Sequence, residues 1–134
     1  MRKPGGEKWS IEDLDVFKRA YRLSLELHRF SLDLPKTEQF GGLADQLRRA
    51  SKSVCGLMAE GAGRQQSSPR EFVRYLTMAI GSVEETRLWC RYCLDLGYVE
   101  AERAEGWRDE CGHINAARIE VQRRWLRCRD VSDY

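Results

Sequence analysis

The chain has little of what a sheet, a membrane span or a histidine-based active site is made from. Its 134 residues hold three prolines and two histidines, and its valines, isoleucines and threonines do not fall into alternating runs, which leaves little material for strands. No stretch approaches the ~20 apolar residues that a spanning helix needs, and the opening MRKPGGEKW lacks the apolar segment of a secretory signal. A cytoplasmic protein that does not engage the membrane is therefore expected. Cysteine is present, but not as a framework. Five thiols, an odd number at irregular positions, fit a reducing compartment better than a set of disulfides. Charge of one sign is lacking too: 33% of the residues are charged, yet the formal net charge is +2. No global field draws the chain to nucleic acid or membrane, so any such site has to be a local patch.

What is present is helical periodicity. One domain's length and 42% hydrophobic residues suffice for a single core. Residues 1–9 read as a disordered tail, 10–128 as the folded bundle and 129–134 as a C-terminal tail. Ser10 with Asp13 three residues later has capping logic, and Val16, Ala20, Leu23, Leu27, Phe30 and Leu34 make the first stripe before Pro35 ends it. Leu43, Leu47, Ala50, Val54 and Leu57 make the second, with Gly61 and Gly63 expected to stop that helix as a C-cap running into a loop. Ser68-Pro69-Arg70-Glu71 restarts the chain as a capping box in which Ser68 accepts from the Glu71 N–H. Phe72, Leu76, Ala79 and Val83 carry the third helix towards Leu96, where Gly97 stops it. Ala104, Trp107, Cys111, Ile114, Val121, Trp125 and Cys128 form the last stripe, interrupted by Arg118. The spacing predicts an all-α fold, an antiparallel up-down four-helix bundle.

The residues that carry these helices also carry a resemblance. LADQLRRASKSV and MAEGAGR, followed by EFVRYLTMAIGS and LGY, resemble the bacterial four-helix-bundle proteins described as 23S rRNA intervening-sequence proteins, over Leu14 to Trp125. The resemblance implies a ring-like homopentamer without known enzymatic activity. The Leu88-Trp89-Cys90-Arg91-Tyr92 run is further similar to the third helix of the accessory variability protein of diversity-generating retroelements. That similarity implies a reverse transcriptase and its structured template RNA as partners, and no cofactor.

Several constellations bear on chemistry. Arg48, Arg49 and Lys52 lie within about a turn of one another, Arg64 follows, and Arg70, Arg74, Arg87 and Arg91 line the third helix. Arginine forks suit phosphate, so these eight are the candidate nucleic-acid contacts, although Glu60, Glu71, Glu84 and Glu85 stand close enough to pair with several of them. Repeating even four arginines around a ring concentrates about 20 positive charges on one surface. Trp89, Tyr92, Trp107 and Trp125 read as core or interface anchors more often than as platforms for unpaired bases, and they are assigned to a partner or subunit interface. Cys90-x-x-Cys93 has half the spacing of a zinc site, with Cys111 and His113 available for the other half, but mid-helix cysteines three apart serve as small buried hydrophobes, so no metal site is assigned. Glu110-x-x-His113 lacks the second such motif that a di-iron bundle requires. No catalytic residues are assigned, because no histidine lies near Ser67, Ser68 or the glutamates. Glu85 is expected as a buried partner of an arginine such as Arg49, and Gly81-Ser82 as a close helix crossing.

Overall fold

Four helices follow from four stripes. The computed structural model describes residues 10–64 and 68–132, with side chains as far as Arg127. The expected tail at 1–9, Ser67, the side chain of Cys128 and residues 133–134 lie outside the described residues. Helix α1 spans Asp15–Ser31, α2 Leu43–Arg64, α3 Pro69–Asp95 and α4 Ala101–Ser132. Among the described residues there is no strand.

The Ser10 capping box forms, but it closes a separate turn. The Ser10 N–H donates to Asp13 Oδ2 (2.9 Å) and the Glu12 N–H donates to Ser10 Oγ (3.2 Å), closing a 3-10 turn at Ile11–Asp13. Leu14 is extended (φ −82°, ψ 133°), which lays both Ile11 and Leu14 against the core before α1 begins. Helix α1 ends at Ser31, so Leu34 is buried from the following turn and not from the helix expected to carry it. Beyond Pro35 and a 3-10 turn at Lys36–Glu38, two glycines have distinct tasks. Gly41 takes φ +71°, a region costly for other residues. Gly42 has no room for a side chain, since a Cβ there would stand 2.6 Å from Glu38 Cα. That approach lets Glu38 Oε1 accept the N–H of Leu43 (3.0 Å) at the start of α2, while Oε2 accepts the Tyr98 hydroxyl (2.9 Å). One carboxylate thus ties both connections at this end of the bundle.

The expected stop at Gly61 and Gly63 is corrected. Helix α2 runs through both to Arg64, and neither glycine has a positive φ. Gly61 is buried because α3 leans on it: a Cβ at position 61 would lie 2.5 Å from the Cβ of Tyr75. The close α2–α3 crossing is therefore at Gly61 and not at Gly81, around which a Cβ would meet nothing within 4 Å. Ser82 does cross, donating to Ser53 Oγ (2.9 Å). At the start of α3, Pro69 sits at the first helical position and Ser68 caps, but its hydroxyl accepts from Arg70 N–H (3.1 Å), while the Glu71 N–H is taken by the Ser68 carbonyl (3.0 Å). Leu96 and Gly97 (φ +79°) close α3 as expected.

Each helix packs on two neighbours, α1 and α3 both between α2 and α4. Cross-helix partners advance along one helix as they recede along the other: Ser53 with Ser82 and Glu60 with Tyr75 on α2 and α3, Thr77 with Gln122 and Glu84 with Asn115 on α3 and α4. The shared interior holds Val16, Leu27, Leu47, Met58, Phe72, Leu76, Ile114 and Trp125, all essentially inaccessible to water. Burying each large apolar side chain is worth about 1.5–3 kcal/mol. Arg118, the interruption in the last stripe, is half-buried and donates to Gln122 Oε1 (2.6 Å).

The glycines make a direct test of this packing. Gly61→Ala is expected to destabilise by about 1 kcal/mol or more, because overpacking against Tyr75 outweighs the gain in helix propensity. Gly56→Ala, where a Cβ meets nothing within 4 Å, is expected to stabilise by about 0.5–1 kcal/mol. Urea unfolding of the two variants checks both signs; a stabilising Gly61→Ala would contradict the close crossing.

Candidate interaction surfaces

The eight basic residues singled out in the sequence do not form one patch. Arg48 turns inward. Its guanidinium donates to Ser31 Oγ (2.8 Å), Gln39 Oε1 (3.2 Å) and the Gln39 carbonyl (3.1 Å). The Gln39 amide in turn donates to the carbonyls of Ser31 (2.8 Å) and Leu34 (3.0 Å). Arg48 is thereby committed to holding the α1–α2 connection, and it has little left for a ligand. Lys52 faces the same way, its ammonium 3.0 Å from His28 Nδ1. Burial holds the His28 pKa below the usual 6.5, with the positive charges of Lys52, Arg48 and Arg29 lowering it further. The ring is neutral at pH 7, and Nδ1 accepts from Lys52.

Arg49 is exposed and pairs with Asp45 one turn away (3.3 Å). Glu85 is exposed too, so the expected buried Glu85–Arg49 pair is corrected: the two lie on the water-facing sides of their helices. Arg87 and Arg91 pair within α3, with Glu84 (3.7 Å) and Asp95 (2.9 Å).

Arg64 and Arg74 do converge, and Arg70 lies one helical turn before Arg74. The close approach at Gly61 brings Tyr75 beside the end of α2. Its ring then takes the guanidinium of Arg64 at 5.4 Å and that of Arg74 at 4.9 Å. Arg64 also pairs with Glu60 (3.6 Å) and Arg74 with Glu71 (2.8 Å), which keeps the Arg74 pKa above its ordinary value. Arg70 is exposed and has no charged partner among the described residues. Both pairs are exposed to water, which screens them, so they hold the two guanidiniums only weakly.

The four aromatic anchors separate in the same way. Trp107 (3% exposed) and Trp125 (1%) are buried within this chain, Trp107 edge-on to Phe30 at 4.8 Å and Trp125 edge-on to Phe72 at 5.0 Å. Their expected role at an interface is corrected: they anchor the core. Trp89 and Tyr92 remain at the surface, 5.5 Å apart. Trp89 is half-buried and its indole nitrogen is shielded without a hydrogen-bond partner. Around the pair, Leu88, Tyr92 and Leu96 are each about half exposed (49%, 48% and 56%). Positions 70, 74, 78, 81, 85, 88, 92 and 96 advance in steps of four and three and so share one outer face of α3, basic at its start and apolar at its end.

The thiols are core groups. Cys90, Cys93 and Cys111 are free and fully buried. Burial pushes Cys93 up to about 11 and Cys111 up to about 12, and raises Cys90 as well. All three stay protonated at neutral pH and pack as small hydrophobes. Among the described residues no three His, Cys, Asp or Glu side chains gather as a metal would require, and no helix is long and apolar enough to cross a membrane.

Sequence reasoning overlooked the first and last helices as carriers of charge. Arg19 and Arg22 of α1 face Arg103 and Glu110 of α4 across a groove of about 520 Å³. No local pattern marks it, because it exists only where α1 and α4 meet; an exposed glycine inside a helix, Gly106, is the one trace it leaves in the sequence.

Residues 12–119 match the family model described as 23S rRNA-intervening sequence protein. A crystal structure of a protein with unknown function from the S23 ribosomal protein family of Bacteroides thetaiotaomicron superposes on this chain with a TM-score of 0.69 at 18% identity. The alignment covers 81% of this chain and 95% of that one, a likeness of fold. No curated protein matches the chain.

Two outcomes follow from the polar contacts of Arg48 on α2 and His28 on α1. Arg48→Ala is expected to cost about 2 kcal/mol in urea unfolding, from several hydrogen bonds of a charged donor, whereas Arg70→Ala should change stability by less than about 0.5 kcal/mol; equal effects would contradict their separation. For His28, the unfolded chain takes up the proton first as pH falls through 6.5, so the stability contributed by the neutral ring is complete above that value and is lost as pH falls through the lower folded pKa. Unfolding midpoints measured from pH 7.5 to 5.5 should fall more steeply for the native chain than for His28→Gln, and parallel slopes would refute the lowered pKa.

Proposed function

The chain belongs to the 23S rRNA-intervening sequence protein family, and from that premise we propose that it is a non-enzymatic binding scaffold that self-associates and grips structured RNA. The observation that carries this reading is the outer face of α3. Leu88, Tyr92 and Leu96 are exposed there beside a Trp89 whose N–H lacks a partner, while Arg70 and Arg74 occupy the start of the same face. Apolar surface on one helix face, next to an aromatic pair, suits burial against a second copy. The basic start of the face, joined by Arg64 through Tyr75, suits phosphate.

The reading extends further. The opposed order of the cross-helix contacts supports an antiparallel up-down bundle, and the resemblance of the chain favours a homopentamer. Symmetry then repeats Arg64, Arg70 and Arg74 into a ring of positive charge, enough to hold a polyanion through counterion release. The Leu88–Tyr92 run makes a reverse transcriptase with its template RNA the partner pair of first choice, with the protein acting as its accessory subunit in the cytoplasm. An rRNA-linked role within the family is the competing reading, and co-purification with a reverse transcriptase separates the two.

Light-scattering mass and RNA binding test the proposal on one sample. The native chain is expected at about five subunits, with affinity for a structured RNA that falls steeply as salt rises. Tyr92→Glu should lower the mass without loss of helix. Arg70→Glu with Arg74→Glu should abolish RNA binding while the mass stays unchanged. A monomer indifferent to RNA would end the proposal, and RNA binding that survives the double reversal would remove the assigned site.

A further inference from the structure

The groove between α1 and α4 has an unassigned set of groups. We propose that it binds one ribonucleotide unit, a phosphate with its ribose and base. Its volume of about 520 Å³ lies within the range that small ligands fill. On one wall Arg22 spends only its Nε–H, donated to the Lys18 carbonyl (3.2 Å). Both terminal nitrogens of that fork have no partner among the described residues, and a fork of this kind matches two oxygens of a phosphate. Arg19, three residues earlier, adds charge while one of its nitrogens holds Glu110 (2.7 Å).

On the opposite wall the Arg103 guanidinium lies over Trp107 at 5.1 Å and Phe30 at 5.3 Å. The Arg103 side chain is 45% exposed, so its outer face is open to a stacked base, a use that arginine planes serve in RNA recognition. Between the walls stand two carboxylates. Glu26 accepts the Trp107 indole N–H (3.0 Å) and Glu110 accepts from Arg19, which fixes both and leaves lone pairs for the ribose hydroxyls, as acidic residues do in dinucleotide sites. Three arginines against two glutamates leave a net charge of +1, suited to a single phosphate and poor for a polyphosphate. Gly106 keeps the floor open. A Cβ there would meet nothing within 4 Å, which makes the position a place to block the groove by substitution.

The groove lies on α1 and α4, so its test is independent of the α2–α3 surface. The full-length protein is titrated with adenosine 5′-monophosphate, and the Trp107 indole N–H resonance is followed beside calorimetry. A saturable shift with a Kd below about 1 mM is expected. Arg22→Gln should weaken binding by about tenfold or more, from the lost fork. Gly106→Leu, whose Cβ meets nothing within 4 Å and whose side chain starts from the groove lining, should abolish binding while circular dichroism stays unchanged. Competition between the mononucleotide and a short single-stranded RNA would assign the site to a nucleotide within a polymer; binding without competition would assign it to the free nucleotide. Absence of a shift, or binding indifferent to both substitutions, overturns the proposal, and inorganic phosphate binding as tightly as the mononucleotide overturns the ribose and base contacts.

Discussion

The absence of a side chain at position 61 sets the geometry on which the rest depends. With only a hydrogen there, α3 settles onto α2 closely enough for the Tyr75 Cβ to occupy the space that an alanine would need. That approach carries three consequences. It seats Phe72 in the core, edge-on to Trp125 of α4, so the long last helix is held by the same crossing. It lets the Tyr75 hydroxyl reach Glu60 (3.3 Å). It also places Tyr75 where Arg64 and Arg74, from different helices, lie over one ring. The basic end of the bundle is thus a product of core packing.

The opposite end is fixed by polar groups. Glu38 links the start of α2 to Tyr98 beyond α3, and Arg48 with Gln39 ties the first connection back to Ser31. Buried or half-buried polar groups without partners are costly, and here they satisfy one another. Arginine therefore serves two physically distinct purposes in one helix: Arg48 as an internal brace, Arg64 as a surface cation.

Much of the fold was legible because helical stripes are a local property. The stripes Val16 to Phe30, Leu43 to Val54 and Phe72 to Val83, and on the last helix Ala104, Trp107, Cys111, Ile114 and Trp125, are buried where the spacing placed them, with Val121 half-buried, and Ser68-Pro69 and Gly97 mark real boundaries. The errors share one cause. Glycine favours a C-cap, which makes Gly61 look like a stop, yet its role depends on a residue 14 positions later. The charge of Arg48 is visible in the sequence and suggests a ligand, whereas its partnership with Gln39 is not visible. An aromatic on a helical stripe fits a core or an interface equally well from sequence, and it is the meeting with Phe30 and Phe72 that commits Trp107 and Trp125 to the core. The α1–α4 groove had no local signal beyond Gly106. Of the candidate site, residue types were legible and their convergence was not.

Under the proposed function α3 is divided between an apolar half suited to another copy and a basic half suited to RNA. Hydroxyl-radical footprinting of the full chain reads both at once, through the oxidation of exposed side chains at low and high protein concentration, with and without a structured RNA. The account predicts that Leu88, Tyr92 and Leu96 lose reactivity as concentration rises, and that Met78, 44% exposed and beside Arg74, loses it only when RNA is added. Reactivity at 88–96 that ignores concentration, or RNA protection that falls elsewhere and spares Met78, would contradict it.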